Sequence, residues 1–164
     1  KNLPFLDFQN PFFIYFGLML FFLLLAILIG GILGAVCFFI QALIAVLHLE
    51  VVNYIEHYGL VRQKLDNGKF EPTRPHHSWN ANDHASNLLL INLQKHSDHH
   101  ARPNKKYQHL QSYDAGDAPQ LPFGYPLMVL MSLIPQFWMK VMNPKVLEWR
   151  KRFYPEIQEW SESP

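Results

Sequence analysis

Three histidines stand close together in Leu93-Gln94-Lys95-His96-Ser97-Asp98-His99-His100-Ala101. On a helix, positions i, i+3 and i+4 share one face, so His96, His99 and His100 converge their imidazoles. Imidazoles crowded in this way repel one another once protonated, and a shared cation is the simplest reason to gather them. Zinc, copper, iron and nickel all suit imidazole. The competing reading is a solvated polar face beside Lys95, Asp98 and Arg102. Helix-borne spacing of this kind favours a metal without saying which one.

A second element has the same spacing. In Asn53-Tyr54-Ile55-Glu56-His57-Tyr58-Gly59-Leu60, residues Asn53, Glu56 and His57 are again i, i+3 and i+4. They follow a long apolar run, and a histidine and a carboxylate where a span leaves the membrane mark a functional candidate. The plain alternative is a polar collar that ends the helix. His76, His77 and His84 carry weaker signals: Trp79 anchors the His76-His77 loop, and Asp83 or Asn80 caps the next helix. His48 and His109 read as structural. The sequence has no His-Glu-x-x-His, no nucleophile elbow and no Gly-rich phosphate loop. A single cysteine, Cys37, excludes internal disulfides and multi-thiolate metal sites. The net charge of +1 gives no argument for nucleic acid.

The elements that must hold these side chains begin in a membrane. From Phe8 to Leu49 there is no Asp, Glu, Lys or Arg, enough for about two crossings at roughly 20 residues each. Pro11–Ile29 and Ile32–Leu49 are the expected spans, folding back near Gly30-Gly31 and Gly34. Arg62, Lys64, Lys69 and Arg74 then place the region after Glu50 in the cytoplasm. Leu65–Trp79 reads as a loop with a turn at Asn67-Gly68, Asp83–Ala101 as a helix, and Arg102–Gln120 as loop. Leu121–Pro144 is apolar but interrupted by prolines, which suits the membrane interface or a packed cap. The tail from Lys145, with Arg150-Lys151-Arg152, reads as a surface helix near headgroups. The expected architecture is an all-α integral membrane protein: a hairpin over 8–50, a histidine-motif region over 51–120, and an interfacial aromatic and proline segment over 121–164.

These motifs together resemble the membrane-bound alkane 1-monooxygenases (alkane hydroxylases), within the wider membrane fatty acid desaturase and hydroxylase superfamily. The resemblance rests on Asn53–Leu60 with Arg62, on His77-Ser78-Trp79-Asn80, and on Leu93–Ala101 with Pro103, Tyr107, Gln108 and Leu110. It continues through Leu121-Pro122, Gly124-Tyr125-Pro126, Met128, Pro135, Trp138 and Met142-Asn143-Pro144. A histidine box alone would also fit desaturases or xylene-type hydroxylases; the other blocks favour alkanes.

The resemblance implies a non-haem diiron enzyme with all-histidine ligands, two iron ions and O2 as co-substrate. It would hydroxylate the terminal carbon of a linear alkane in a bacterial inner membrane, with electrons from rubredoxin and its reductase. His57, His96, His99 and His100 match metal ligands, and Asn53, Glu56 and Asp98 are candidates to orient the imidazoles. Residues Leu43–Val52 are expected to line a substrate channel. Lys95, Arg102, Lys105 and Lys106 form an expected basic patch for an acidic carrier. The family's two earlier histidine boxes are absent from this sequence. The chain is therefore expected to be the C-terminal portion of a longer protein, inactive without the part that carries them.

Overall fold

A computed structural model describes residues 10–157 and Trp160. The expected sequence beyond Ile157, Trp160 aside, and the residues before Asn10 lie outside that range. The chain divides into two compact units, with the boundary after Leu49. Among the described residues the regular elements are helical, apart from isolated bridges Lys64–Phe70 and Asn80–Gln120.

Helix α1 runs from Pro11 to His57 and is interrupted at Gly31, where φ is 58° and ψ is −142°. Only glycine adopts that conformation freely, so the break falls at the expected Gly30-Gly31 pair. A Cβ at Gly34 would collide with the Ala26 carbonyl. In an unbroken helix these residues would stand about 12 Å apart along the axis, so the chain doubles back between them. Its side chains face outward: Leu28, Ile29 and Ile32 are more than four-fifths exposed. An apolar helix that satisfies its own backbone and buries so little is built for lipid. The protein is an integral membrane protein.

In the second unit, residues 50–57 of α1 are followed by α2 (His84–Leu90), α3 (His96–Ala101), α4 (Tyr125–Ser132) and α5 (Pro135–Phe153). One core joins Val52, Ile55, Trp79, Leu121, Tyr125, Met128, Trp138, Met142 and Val146. Each fully buried large side chain contributes roughly 1.5–3 kcal/mol. The regions 51–120 and 121–164 thus share a single core.

Two expectations change. Asp83–Ala101 is two helices, because Ile91 and Asn92 take positive φ values of 50° and 70°. Asp83 caps α2, accepting from the Ser86 N–H at 2.9 Å, and the Ile91 N–H closes its other end on the Asn87 carbonyl. In addition, α5 does not stop at Pro144 but continues to Phe153. Trp138, Met142, Val146 and Arg150 recur every fourth residue, and all are buried. Their packing sustains the helix across the hydrogen bond that proline cannot make. Arg150 is accordingly an interior residue and not a surface one.

Candidate metal centre

His57 is the last residue of α1, and His96 is the first of α3. The turn Leu93–Lys95 and the packing of α3 on the Pro75–His77 turn bring them together. Ser97, between the ligating positions, is completely buried. Its hydroxyl donates to the Pro75 carbonyl at 2.6 Å and accepts from Asn80 Nδ2 at 2.6 Å. Asn80 Oδ1 accepts the Ser97 N–H at 3.0 Å. This pair fixes the rotation of α3, and with it the direction of the imidazoles on the same turn.

Three Nε2 atoms converge. His57 to His100 is 3.2 Å, His96 to His57 is 3.3 Å, and His100 to His96 is 2.7 Å. Nitrogens about 2.0–2.1 Å from one ion, at tetrahedral or octahedral angles, lie roughly 2.8–3.4 Å apart. Proton counting leads to the same conclusion. His57 Nδ1 lies 2.9 Å from the Asn53 carbonyl, which can only accept. A neutral His57 therefore carries its proton on Nδ1 and presents a bare Nε2. His96 Nδ1 lies buried 3.3 Å from Glu56 Oε2 but makes no hydrogen bond to it, so the His96 tautomer is not fixed in the same way. With His57 Nε2 bare, at most two protons, from His96 and His100, are left for three close nitrogen contacts. Burial, followed by the neighbouring His100, His57 and His99, pushes the His96 pKa down to about 2. Burial, followed by His57 and His99, lowers the His100 pKa as well, and neutral imidazoles are what a metal needs. The residues fit a cation.

The remaining expected residues divide. His99 is half-buried beside the group, its ring 5.6 Å from that of His100 and 5.8 Å from that of His96, but its nitrogens are not in the three-atom cluster. Asn53 acts through its main chain and not its amide. Glu56, buried, lies 3.3 Å from His96 Nδ1 and accepts the Tyr125 hydroxyl at 2.8 Å. Asp98 does not touch an imidazole. Completely buried, it accepts from Lys105 Nζ at 2.6 Å, the Gln111 N–H at 2.8 Å and the Tyr113 hydroxyl at 3.0 Å. It ties the following loop to α3, and these donors hold its pKa below the usual carboxylate range. The basic patch shrinks for a related reason: Lys105 is committed to Asp98, and Lys95 Nζ donates to the Leu110 carbonyl at 3.0 Å. Arg102 and Lys106 remain exposed. Tyr125 and Ser97 were not singled out in the sequence, where nothing but their place in matching blocks distinguishes them.

The His57–His100 edge borders an open hollow of ≈ 730 Å³ lined by Glu50, Asn53, Tyr54, Tyr58 and Gly59 as well. The site is thus a shielded histidine group with one accessible side, carried on a membrane helix and a short cap helix.

That combination is a membrane protein carrying a histidine group that could hold a metal ion. The chain belongs to the fatty acid desaturase family, whose model matches residues 2–131. It is 48% identical over 146 residues to alkane 1-monooxygenase 2 of Pseudomonas aeruginosa, covering 89% of this chain and 38% of that protein. It is 54% identical over 101 residues to alkane 1-monooxygenase of Ectopseudomonas oleovorans, covering 62% of this chain and 25% of that protein. The xylene/toluene monooxygenase hydroxylase component of Pseudomonas putida is more distant, at 32% over 106 residues, covering 64% of this chain and 27% of that protein. The chain therefore spans well under half the length of these relatives.

Proposed function

We propose that this chain forms part of a non-haem diiron hydroxylase that converts linear alkanes to terminal alcohols. The observation that carries the reading is the group of three Nε2 atoms 2.7–3.3 Å apart, with His57 Nδ1 held from behind by the Asn53 carbonyl. The identity to alkane 1-monooxygenases supports the substrate class. His57, His96 and His100 would hold one iron, and His99, projecting from the same short helix, would serve the second. Two ions need more ligands than these four, and the balance comes from residues outside the 164.

Bound iron would supply the activation of O2 that no side chain can provide. In the balanced reaction one oxygen atom enters the terminal C–H bond and the other leaves as water, using two electrons and two protons from outside the chain. The chain's own residues have narrower tasks. Asn53 keeps a proton on the outer nitrogen of His57, and Tyr125 holds Glu56 in place beside His96. Rubredoxin is the proposed electron donor, reaching a cytoplasmic face that includes Arg102 and Lys106. The spans before Leu49 would sit in the bacterial inner membrane, with 121–164 near its surface.

The test is the full-length protein, purified with its iron and zinc content measured and supplied with a linear alkane, O2 and a reductant. Iron with a 1-alkanol product is expected; near-stoichiometric zinc without iron would end the oxygenase reading. The second reading, hydroxylation of an aromatic methyl group or desaturation of an acyl chain, is favoured by the family match and the xylene-type relative. Product analysis separates it.

A further inference from the structure

The last four carbonyls of a helix have no partner within it. In α1 these belong to the turn that carries His57, and Gly59, with φ of 67°, ends the helix just beyond it. The Leu60 N–H returns to the His57 carbonyl at 3.2 Å. The neighbouring carbonyls are taken by distant residues. The Glu56 carbonyl accepts the Trp79 N–H at 2.8 Å, and the Tyr58 carbonyl accepts Trp79 Nε1–H at 2.8 Å. The Gly59 carbonyl accepts Arg150 Nε–H at 3.0 Å.

Arg150 is an unusual choice for an interior position. It ends the buried stripe of Trp138, Met142 and Val146 and is only 7% exposed. Among the described residues no carboxylate forms an ion pair with it. Its guanidinium lies 4.5 Å from the centre of the Trp160 ring, and its counter-charge is the negative end of α1.

Helix ends fray unless capped. His57 projects from the fraying turn, and its Nδ1 bond to the Asn53 carbonyl exists only while that turn stays helical. We infer that Arg150 and Trp79 are positioning residues for His57, capping the α1 terminus so that its Nε2 stays in register with those of His96 and His100. This inference rests on the metal reading above, extending it to residues that touch no ligand nitrogen.

The test loads the full-length protein with cobalt(II), whose visible absorption reports ligand number and geometry, and measures affinity against a chelator. Arg150→Met should weaken cobalt binding about tenfold, as loss of outer-shell support does, and should change the cobalt bands. Arg150→Lys should recover part of both, because its ammonium reaches the same carbonyl. Trp79→Phe keeps the ring and removes one donor; a loss of about fivefold is expected. If Arg150→Met does not fold, Trp79→Phe decides the matter. A wild-type protein that takes up no cobalt would defeat the metal reading itself. Wild-type uptake, with unchanged affinity and spectrum in the folded variants, would overturn the capping role alone.

Discussion

Two histidine groups in the second unit look alike by proximity and differ in chemistry. His57, His96 and His100 bring potential ligand atoms together, and so do Glu71, His76 and His77. In the second group, however, the protons between His77, Tyr154 and Glu71 are accounted for. His77 Nδ1 accepts the Arg74 N–H at 2.9 Å, which obliges Nε2 to carry the proton. Nε2–H donates to Tyr154 Oη at 2.9 Å, and the Tyr154 hydroxyl donates to Glu71 Oε1. The Gln63 N–H completes the carboxylate at 2.8 Å. No lone pair of His77 is left for a metal, and the group clamps the loop after α1 to the end of α5. In the first group three Nε2 atoms face one another with too few protons to bridge every contact. Ligand candidates are therefore sorted by where their protons must lie, more than by how near they are.

The contrast can be broken most directly by removing one histidine from each group. His96→Ala should cost more metal affinity than the ~10–100-fold typical of outer-shell changes, whereas His77→Gln should leave metal content unchanged; metal analysis of both variants checks this. Equal losses would erase the distinction. Tyr125→Phe removes the hydroxyl that holds Glu56, and about a tenfold weaker affinity is expected by chelator competition.

The clamp should register in stability instead. Tyr154→Phe leaves His77 and Glu71 short of a partner, with an expected loss of about 1–3 kcal/mol in denaturant unfolding and unchanged metal stoichiometry.

A smaller effect concerns pH. Burial, followed by the charge of His77, pushes the His76 pKa down to about 4 from an ordinary 6.5. Between those values the unfolded chain takes a proton that the folded chain refuses, so stability falls as pH drops from 6.5 towards 4. His76→Phe should flatten that part of the profile while keeping a ring against Phe153, which the His76 ring stacks on at 4.1 Å.

Much of this was legible in the sequence because it depends on local spacing and solvent preference. An uncharged run from Phe8 to Leu49 can be stable only in lipid, and its break needs a residue such as Gly31. The convergence of His96 and His100 follows from one helical turn, and Asn67-Gly68 announces its own turn. The split of Asp83–Ala101 was only half legible: Asn92 tolerates a left-handed backbone, but a branched Ile91 does not announce the one that tertiary packing imposes. The continuity of α5 through Pro144 was hidden for the same reason: a local rule against proline yielded to a buried stripe.

By itself the sequence determined the membrane element, the histidine-bearing segments and the family pattern, because periodicity and composition act within a few residues of each position. Only the tertiary structure decided which histidines share a point in space, that Asp98 serves a loop and not an imidazole, and that Arg150 lies inside against the end of α1. Those outcomes depend on partners 13 to 91 residues away in the chain, and a hydrogen bond at that separation leaves no periodic trace in the residues that make it.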